Sequence, residues 1–228
     1  MNNLLSQWTR GRVKLGPVDE VLAAVLVGLL GFGVVMVFSA SAVEATVTYH
    51  DPYYFLRKQA IFGVVGLGIM FGLSRIDYHQ YRKFTYPILI SVTGLLVLSV
   101  IGFGHSGGGA ARWLRLGPIH VQPSEMAKVS LILWLAYSLA KKRERMKSFS
   151  VGMLPHLVMA GGLMLLCLKQ PDFGGAVVLL FLTGTLLFVA GARLEYLTLV
   201  GMVGLGVAAW LVRFREYRWE RMLAWFNM

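Results

Sequence analysis

Long apolar runs recur along this chain, each broken by a short stretch rich in Lys, Arg, aromatic, Gly or Pro residues. An apolar run of about eighteen residues or more marks a candidate membrane helix. The runs extend from about Val21 to Val43, Ala60 to Leu73 (beginning nearer Phe55), Phe84 to Phe103, Gln122 to Ala140, Val151 to Leu168 and Ala176 to Ala190. A last one follows Gly191-Ala-Arg-Leu-Glu195 and ends near Val212. The fold this predicts is all-α, a polytopic transmembrane helix bundle of about seven spans. At the end of the first run, Ala40-Ser41-Ala42 looks like a signal-peptide cleavage site. The apolar core of a signal is only about 7–15 residues, and this run is longer, so it reads as a retained span. Gly63-Val-Val-Gly-Leu-Gly68 has the wrong glycine order for a dinucleotide loop. Gly68 and Gly72 instead have the spacing that lets helix backbones approach closely.

Charge bears on orientation more than on partners. The chain has 22 Lys and Arg against 11 Asp and Glu. The basic residues sit between the apolar runs, as topology determinants do, and so do not indicate nucleic acid. Placing the N-terminus in the cytoplasm puts Arg10, Arg12, Lys14, Arg75, Arg82, Lys83, the cluster Lys141 to Lys147 and Arg193 inside. Arg57, Lys58, Arg112, Arg115 and Lys169 then lie outside, as does a tail with Arg213, Arg215, Arg218 and Arg221 suited to anionic lipid headgroups. The organisation read here is a cytoplasmic segment over 1–17, a transmembrane domain over 18–212 and an extracytoplasmic stretch from 213 to 228. Cys167, the single cysteine, lies in an apolar run and reads as a small hydrophobe. No Cys/His cluster has metal-ligand spacing, and no nucleophile triad, phosphate loop or glycosidase carboxylate pair is visible.

Arg112 to Lys128 is the most polar stretch between two long apolar runs. Pro123 suits the first turn of a helix, where its missing N–H would be unpaired anyway. Gln122 and Ser124 would satisfy backbone groups at that helix start, with Ser124 a possible cap. Glu125 and Lys128, three residues apart, share one helical face. They are either a mutually neutralising pair at the membrane edge or a polar pair turned into a cavity. In the second case, removing Lys128 breaks a buried pair, at about 3–5 kcal/mol. Further on, Asp172 is placed to cap the run that follows it, with Pro171 and Gly174 shaping the turn. Gly104-His-Ser-Gly-Gly-Gly-Ala110 reads as flexible loop.

Four motifs carry a resemblance to a known family. They are Phe38-Ser-Ala-Ser-Ala42, Arg112-Trp-Leu-Arg-Leu-Gly-Pro-Ile-His-Val-Gln-Pro-Ser-Glu-Met-Ala-Lys128, Lys169-Gln-Pro-Asp-Phe-Gly-Gly175 and Tyr217-Arg-Trp-Glu-Arg-Met-Leu-Ala-Trp-Phe-Asn227. In this order they resemble the SEDS family (shape, elongation, division and sporulation), from about Val18 to the chain end. The tail and Gly191-Ala-Arg-Leu194 are closer to the division branch than to the elongation branch. The resemblance implies a bacterial cytoplasmic-membrane enzyme of about ten spans. It would polymerise lipid II into glycan strands with a class B penicillin-binding protein, alongside other division proteins. The Asp to which the family's catalysis is attributed would lie beyond Met228, so the expectation is an incomplete chain with no catalytic residue of its own identified.

On that resemblance, Lys128 binds the lipid II pyrophosphate or holds the geometry of the site. Arg112 and Arg115 suit a pyrophosphate as bidentate donors, or are interface anchors. His120 stands where division-type members often carry Arg, and as a neutral ring would bind phosphate less well. Gln122, Ser124 and Glu125 complete the candidate substrate or cavity set, while Pro123, Gln170, Pro171, Asp172 and Gly174 are read as structural. No cofactor is evident; a divalent cation is an alternative source of charge neutralisation. Two other classes of function compete with the enzyme: a lipid II transporter or flippase, and a non-catalytic scaffold of the division machinery.

Overall fold

The computed structural model describes residues 18–103, 105–107, 110–116 and 119–214. The segment 1–17, Gly108, and the tail with Arg215, Arg218, Arg221 and the Tyr217–Asn227 motif lie outside the described residues. Two compact units divide between Gln80 and Tyr81.

The first unit is a helical hairpin. Helix α1 (Glu20–Tyr49) starts where Asp19 accepts from the Leu22 backbone N–H at 3.0 Å. It stops at His50, which takes the left-handed conformation (φ 55°). Helix α2 (Tyr54–Ser74) returns along it. Stacked rings hold the turn, Tyr49 on Tyr54 at 3.9 Å and Phe38 on Tyr53 at 5.4 Å. An Arg57–Asp51 ion pair at 3.2 Å adds to it. Gly68 and Gly72 do not form the expected close contact: a side-chain carbon added at either would meet nothing within 4 Å. Gly63 is the tight position, where such a carbon would sit 3.2 Å from Leu30. Spacing alone could not tell which glycine faces the partner helix. A single turn, α3 (Tyr78–Tyr81), follows.

The second unit holds the packed core. Helix α4 (Thr85–Leu98) runs into a π turn over Ser99–Phe103. Helix α5 (Pro123–Lys141) packs against α4 and α7 (Phe173–Val189). Helix α6 (Leu154–Lys169) packs mainly on α7, and α8 (Leu194–Arg213) also lies against α7. The buried face of α5 combines Leu131, Leu135 and Leu139 with Ser124, Ala127, Ser130 and Ser138. Small residues on that face let neighbouring backbones come close, which is where helix contact in lipid gains most. Leu96, Met153, Leu163, Cys167, Leu179 and Leu187 complete the core.

Each expected span is a helix. Among the described residues, four segments are long and apolar enough to cross a membrane: Glu20–Tyr49, Tyr54–Ser74, Phe149–Lys169 and Leu194–Arg213. Thr85–Ile101 and Phe173–Val189 are shorter apolar helices. Pro123–Lys141 is not among them; it carries Glu125, Lys128 and Lys141 as well as its serines. Large apolar side chains such as Phe62, Phe181 and Leu205 stand exposed along these helices, as a surface that meets lipid requires.

One expectation is corrected between α4 and α5. The stretch read as flexible loop contributes to a three-stranded antiparallel sheet: β1 (His105–Gly107), β2 (Ala110–Leu116) and β3 (Ile119–Val121), in the order β1-β2-β3. Gly107 lies opposite Ala110 in the register, which pairs β1 with the start of β2. Pairing also satisfies backbone groups beside the apolar phase.

The connection from α5 to α6 is tightly packed. A side-chain carbon at Gly152 would sit 2.5 Å from the Arg145 carbonyl oxygen and 2.8 Å from the Met146 Cα. Both are backbone atoms, so neither can swing aside. Gly152→Ala should therefore lower stability by about 1–3 kcal/mol, measured by equilibrium unfolding of the purified protein in detergent. Gly161→Ala, where the added carbon meets nothing within 4 Å, should leave stability unchanged or slightly raised.

Candidate functional site

Four helix ends meet where α4 stops, α5 starts and α6 passes into α7. Pro123 takes the first position of α5, and the residue before a proline is pushed toward extended backbone. Gln122 accordingly holds φ −97° and ψ 109° as the N-cap. Its side chain makes no cap bond to the helix. The amide Nε2 instead donates to Ser124 Oγ (2.9 Å) and to Asp172 Oδ2 (3.3 Å), fifty residues further on. Ser124 is thus not the cap; it is buried in the first turn as an acceptor for Gln122.

Asp172 is the N-cap of α7, its Oδ1 accepting the Gly175 N–H at 3.0 Å. The carboxylate is buried, and one group serves both the helix start and Gln122. The turn needs its second glycine more than its first. A side-chain carbon at Gly175 would fall 2.5 Å from Asp172 Oδ2, whereas at Gly174 the nearest atom is 3.9 Å away. Pro171 takes φ 30°, away from the roughly −65° its ring favours, so the turn is strained. Beside it, buried Gln170 donates to Ser99 Oγ (2.5 Å) and to the Leu96 carbonyl (3.1 Å). Gln170 Oε1 is buried with no hydrogen-bond partner among the described residues.

One turn into α5, Lys128 Nζ meets Glu125 Oε2 at 2.6 Å. Side-chain exposure is 22% for Lys128 and 59% for Glu125. The pair is therefore solvent-screened, worth about 0–1 kcal/mol rather than the larger figure for a buried pair. Arg112 and Arg115 lie on β2, and Arg115 is the register partner of His120 on β3. Among the described residues, no three His, Cys, Asp or Glu side chains gather where they could hold a metal ion.

Sequence reading passed over a second polar contact inside the bundle. His156 on α6 is fully buried. Its Nδ1 donates to the Gly152 carbonyl (2.6 Å), leaving Nε2 to accept from the Ser138 hydroxyl of α5 (2.9 Å). An ionisable residue within a span was the available signal, but its partner lies on another helix.

Comparison with known proteins places these elements. The profile of the FtsW/RodA/SpoVE family, described as cell cycle proteins, matches residues 20–228. A relative from Geobacter sulfurreducens, named "Probable peptidoglycan glycosyltransferase FtsW", is 42% identical over 210 residues, covering 92% of this chain and 56% of the relative. Stage V sporulation protein E of Bacillus subtilis is 33% identical over 210 residues, covering 92% of this chain and 57% of its own length. The chain thus spans a little over half the length of these relatives. Among solved structures, the Thermus thermophilus rod shape determining protein RodA is similar with a TM-score of 0.57 and 29% identity, over 80% of this chain and 58% of that one. A chain from a peptidoglycan synthase complex, solved for its coordination of polymerization and crosslinking, is similar with a TM-score of 0.62 and 30% identity, over 87% of this chain and 58% of that one.

Two substitutions test the energetics of the site. Asp172→Ala removes a cap and the Gln122 acceptor and should cost about 1–2 kcal/mol; Asp172→Asn, itself a good cap, should recover most of that. Lys128→Met should change stability by less than about 1 kcal/mol. Both are read by equilibrium unfolding in detergent.

Proposed function

Because the chain belongs to the FtsW/RodA/SpoVE family of cell cycle proteins, we propose that it serves a peptidoglycan glycosyltransferase that polymerises lipid II into glycan strands during cell division. The observation that carries this reading is the polar cluster where α4, α5, α6 and α7 meet. There Gln122 is bonded to Asp172 and Gln170 to Ser99, with the Lys128–Glu125 pair one turn into α5. Of the helices leading away from it, α4, α6 and α7 are apolar. This arrangement suits a lipid substrate, whose polar head needs hydrogen bonds and positive charge while its tail stays in the bilayer.

In glycan transfer the acceptor hydroxyl loses a proton and bonds to the donor sugar carbon. The bond from that carbon to pyrophosphate breaks, and the lipid pyrophosphate leaves with added negative charge. Lys128 neutralises that charge, aided by Arg112 and Arg115. His120 lies beside Arg115 in the strand register and contributes to headgroup contact. Gln122, Ser124 and Asp172 hold the start of α5 so that Lys128 is presented. Proton abstraction is assigned to none of these residues. A divalent cation held by the pyrophosphate is a second source of the same charge neutralisation. The likeness to a chain of a peptidoglycan synthase complex supports a class B penicillin-binding protein as partner. The membrane is the bacterial cytoplasmic membrane, with the N-terminus inside.

Polymerisation of purified lipid II by the full-length protein with its penicillin-binding partner tests the activity. Glycan chains are expected, and Lys128→Met should reduce their rate about tenfold or more, with Lys128→Arg restoring part of it and membrane abundance unchanged. Lipid movement between leaflets without polymer would support a transporter instead; neither activity would leave a scaffold.

Orientation has a separate test in a Cys167→Ala background. An impermeant maleimide should label Lys169→Cys from the outside and Arg143→Cys only after lysis. The reverse pattern overturns the orientation.

A further inference from the structure

At the opposite end of the second unit from the polar cluster, the α5–α6 connection and the start of α8 enclose a cleft of about 660 Å³. Arg145, Lys147 and Arg193 line it, together with Glu144 and the aromatic pair Phe149 and Tyr196. We propose that this cleft binds the phosphate of an anionic phospholipid headgroup.

Four observations converge on a lipid phosphate. First, the charge is unbalanced: three cations line the cleft against one acid, and Glu195 in the first turn of α8 is the next nearest acid in sequence. None of Arg145, Lys147 and Arg193 has an ion-pair partner among the described residues, and all three are exposed. Arginine presents a planar fork that matches phosphate oxygens, which a plain topology anchor does not require.

Second, the loop carrying two of the cations is fixed. Met146 between them is buried at 2% exposure, and the backbone at Arg145 and Met146 packs against Gly152 too closely to admit a side chain. The third cation, Arg193, is the N-cap of α8 and makes no side-chain bond to that helix. The positive end of the α8 dipole therefore adds to its charge.

Third, the depth is right. Two membrane-length segments, Phe149–Lys169 and Leu194–Arg213, both begin at this cleft. A cavity at the ends of two spans lies at headgroup level, where a phospholipid presents its phosphate. Fourth, Phe149 and Tyr196 meet edge-to-face at 5.3 Å on the wall of the cleft, an apolar and a polar-tipped ring of the kind that sits at the membrane interface. Basic pockets between spans are established sites for anionic headgroups.

Native mass spectrometry of the purified chain in a neutral detergent tests this with defined probes. Phosphatidylglycerol is expected to bind at least about tenfold more tightly than phosphatidylcholine, and the triple variant Arg145→Gln/Lys147→Gln/Arg193→Gln should lose at least about tenfold of that affinity. Removing the same charge elsewhere, as Arg75→Gln/Arg82→Gln/Lys83→Gln, should change it by less than about twofold. Glu144→Gln should tighten binding by about two- to fivefold, a gain that misfolding cannot mimic. Equal binding of the two lipids, or unchanged affinity in the cleft variant, overturns the proposal. So does an equal loss in the control variant, which would make net charge the cause. Displacement of phosphatidylglycerol by an equal concentration of inorganic phosphate or of hexaglutamate would make this a soluble-anion or acidic-peptide site, and also overturns it.

Discussion

The constraint on which everything else rests is that backbone N–H and C=O groups cannot be left open in hydrocarbon. It makes each long apolar run helical and pushes exceptions to the ends. Hydroxyl side chains within the runs obey the same rule. Thr46, Thr93, Thr183 and Thr185 each donate to the carbonyl four residues earlier, so they carry no bare polar group into the apolar phase. The irregular backbone of the second unit falls between spans or in their end turns: the π turns over Ser99–Phe103 and Phe149–Met153, the sheet, and the turn from Gln170 to Asp172.

Other polar side chains of the second unit join separate helices. Gln122 and Asp172 link the start of α5 to the start of α7. Gln170 links the end of α6 to the end of α4. His156 and Ser138 link α6 to α5 at the other end. In low dielectric such bonds are strong when made and costly when left open, so they select one packing among the several that apolar faces would allow. Asp172 shows the economy of the arrangement: one carboxylate caps a helix and receives a distant amide. The side chain at Gly175 is absent because that carboxylate fills its space.

The two ends of the second unit differ in kind. One gathers amides, a buried carboxylate and a screened Lys–Glu pair, in a family whose members include a named peptidoglycan glycosyltransferase and a sporulation protein. The other gathers three cations beside an aromatic pair. The two proposals together divide the labour, with substrate contact at one membrane face and attachment to bilayer lipid at the other.

What the sequence by itself determined is what depends on near neighbours. Apolar run length located the spans, because helix hydrogen bonds are local. Pro123 marked the start of α5, Asp172 marked the start of α7, and the three-residue spacing of Glu125 and Lys128 put them together. The four motifs also sufficed to place the chain in its family. Tertiary structure decided what depends on residues far apart in the chain. It gave Gln122 a partner 50 residues away and Gln170 one 71 residues away. It chose Gly63 over Gly68 and Gly175 over Gly174, because only packing shows which glycine has a neighbour in the way. It also paired His105–Gly107 with Ala110–Leu116 as strands and left Glu125 exposed, since strand pairing and exposure are properties of the assembled unit.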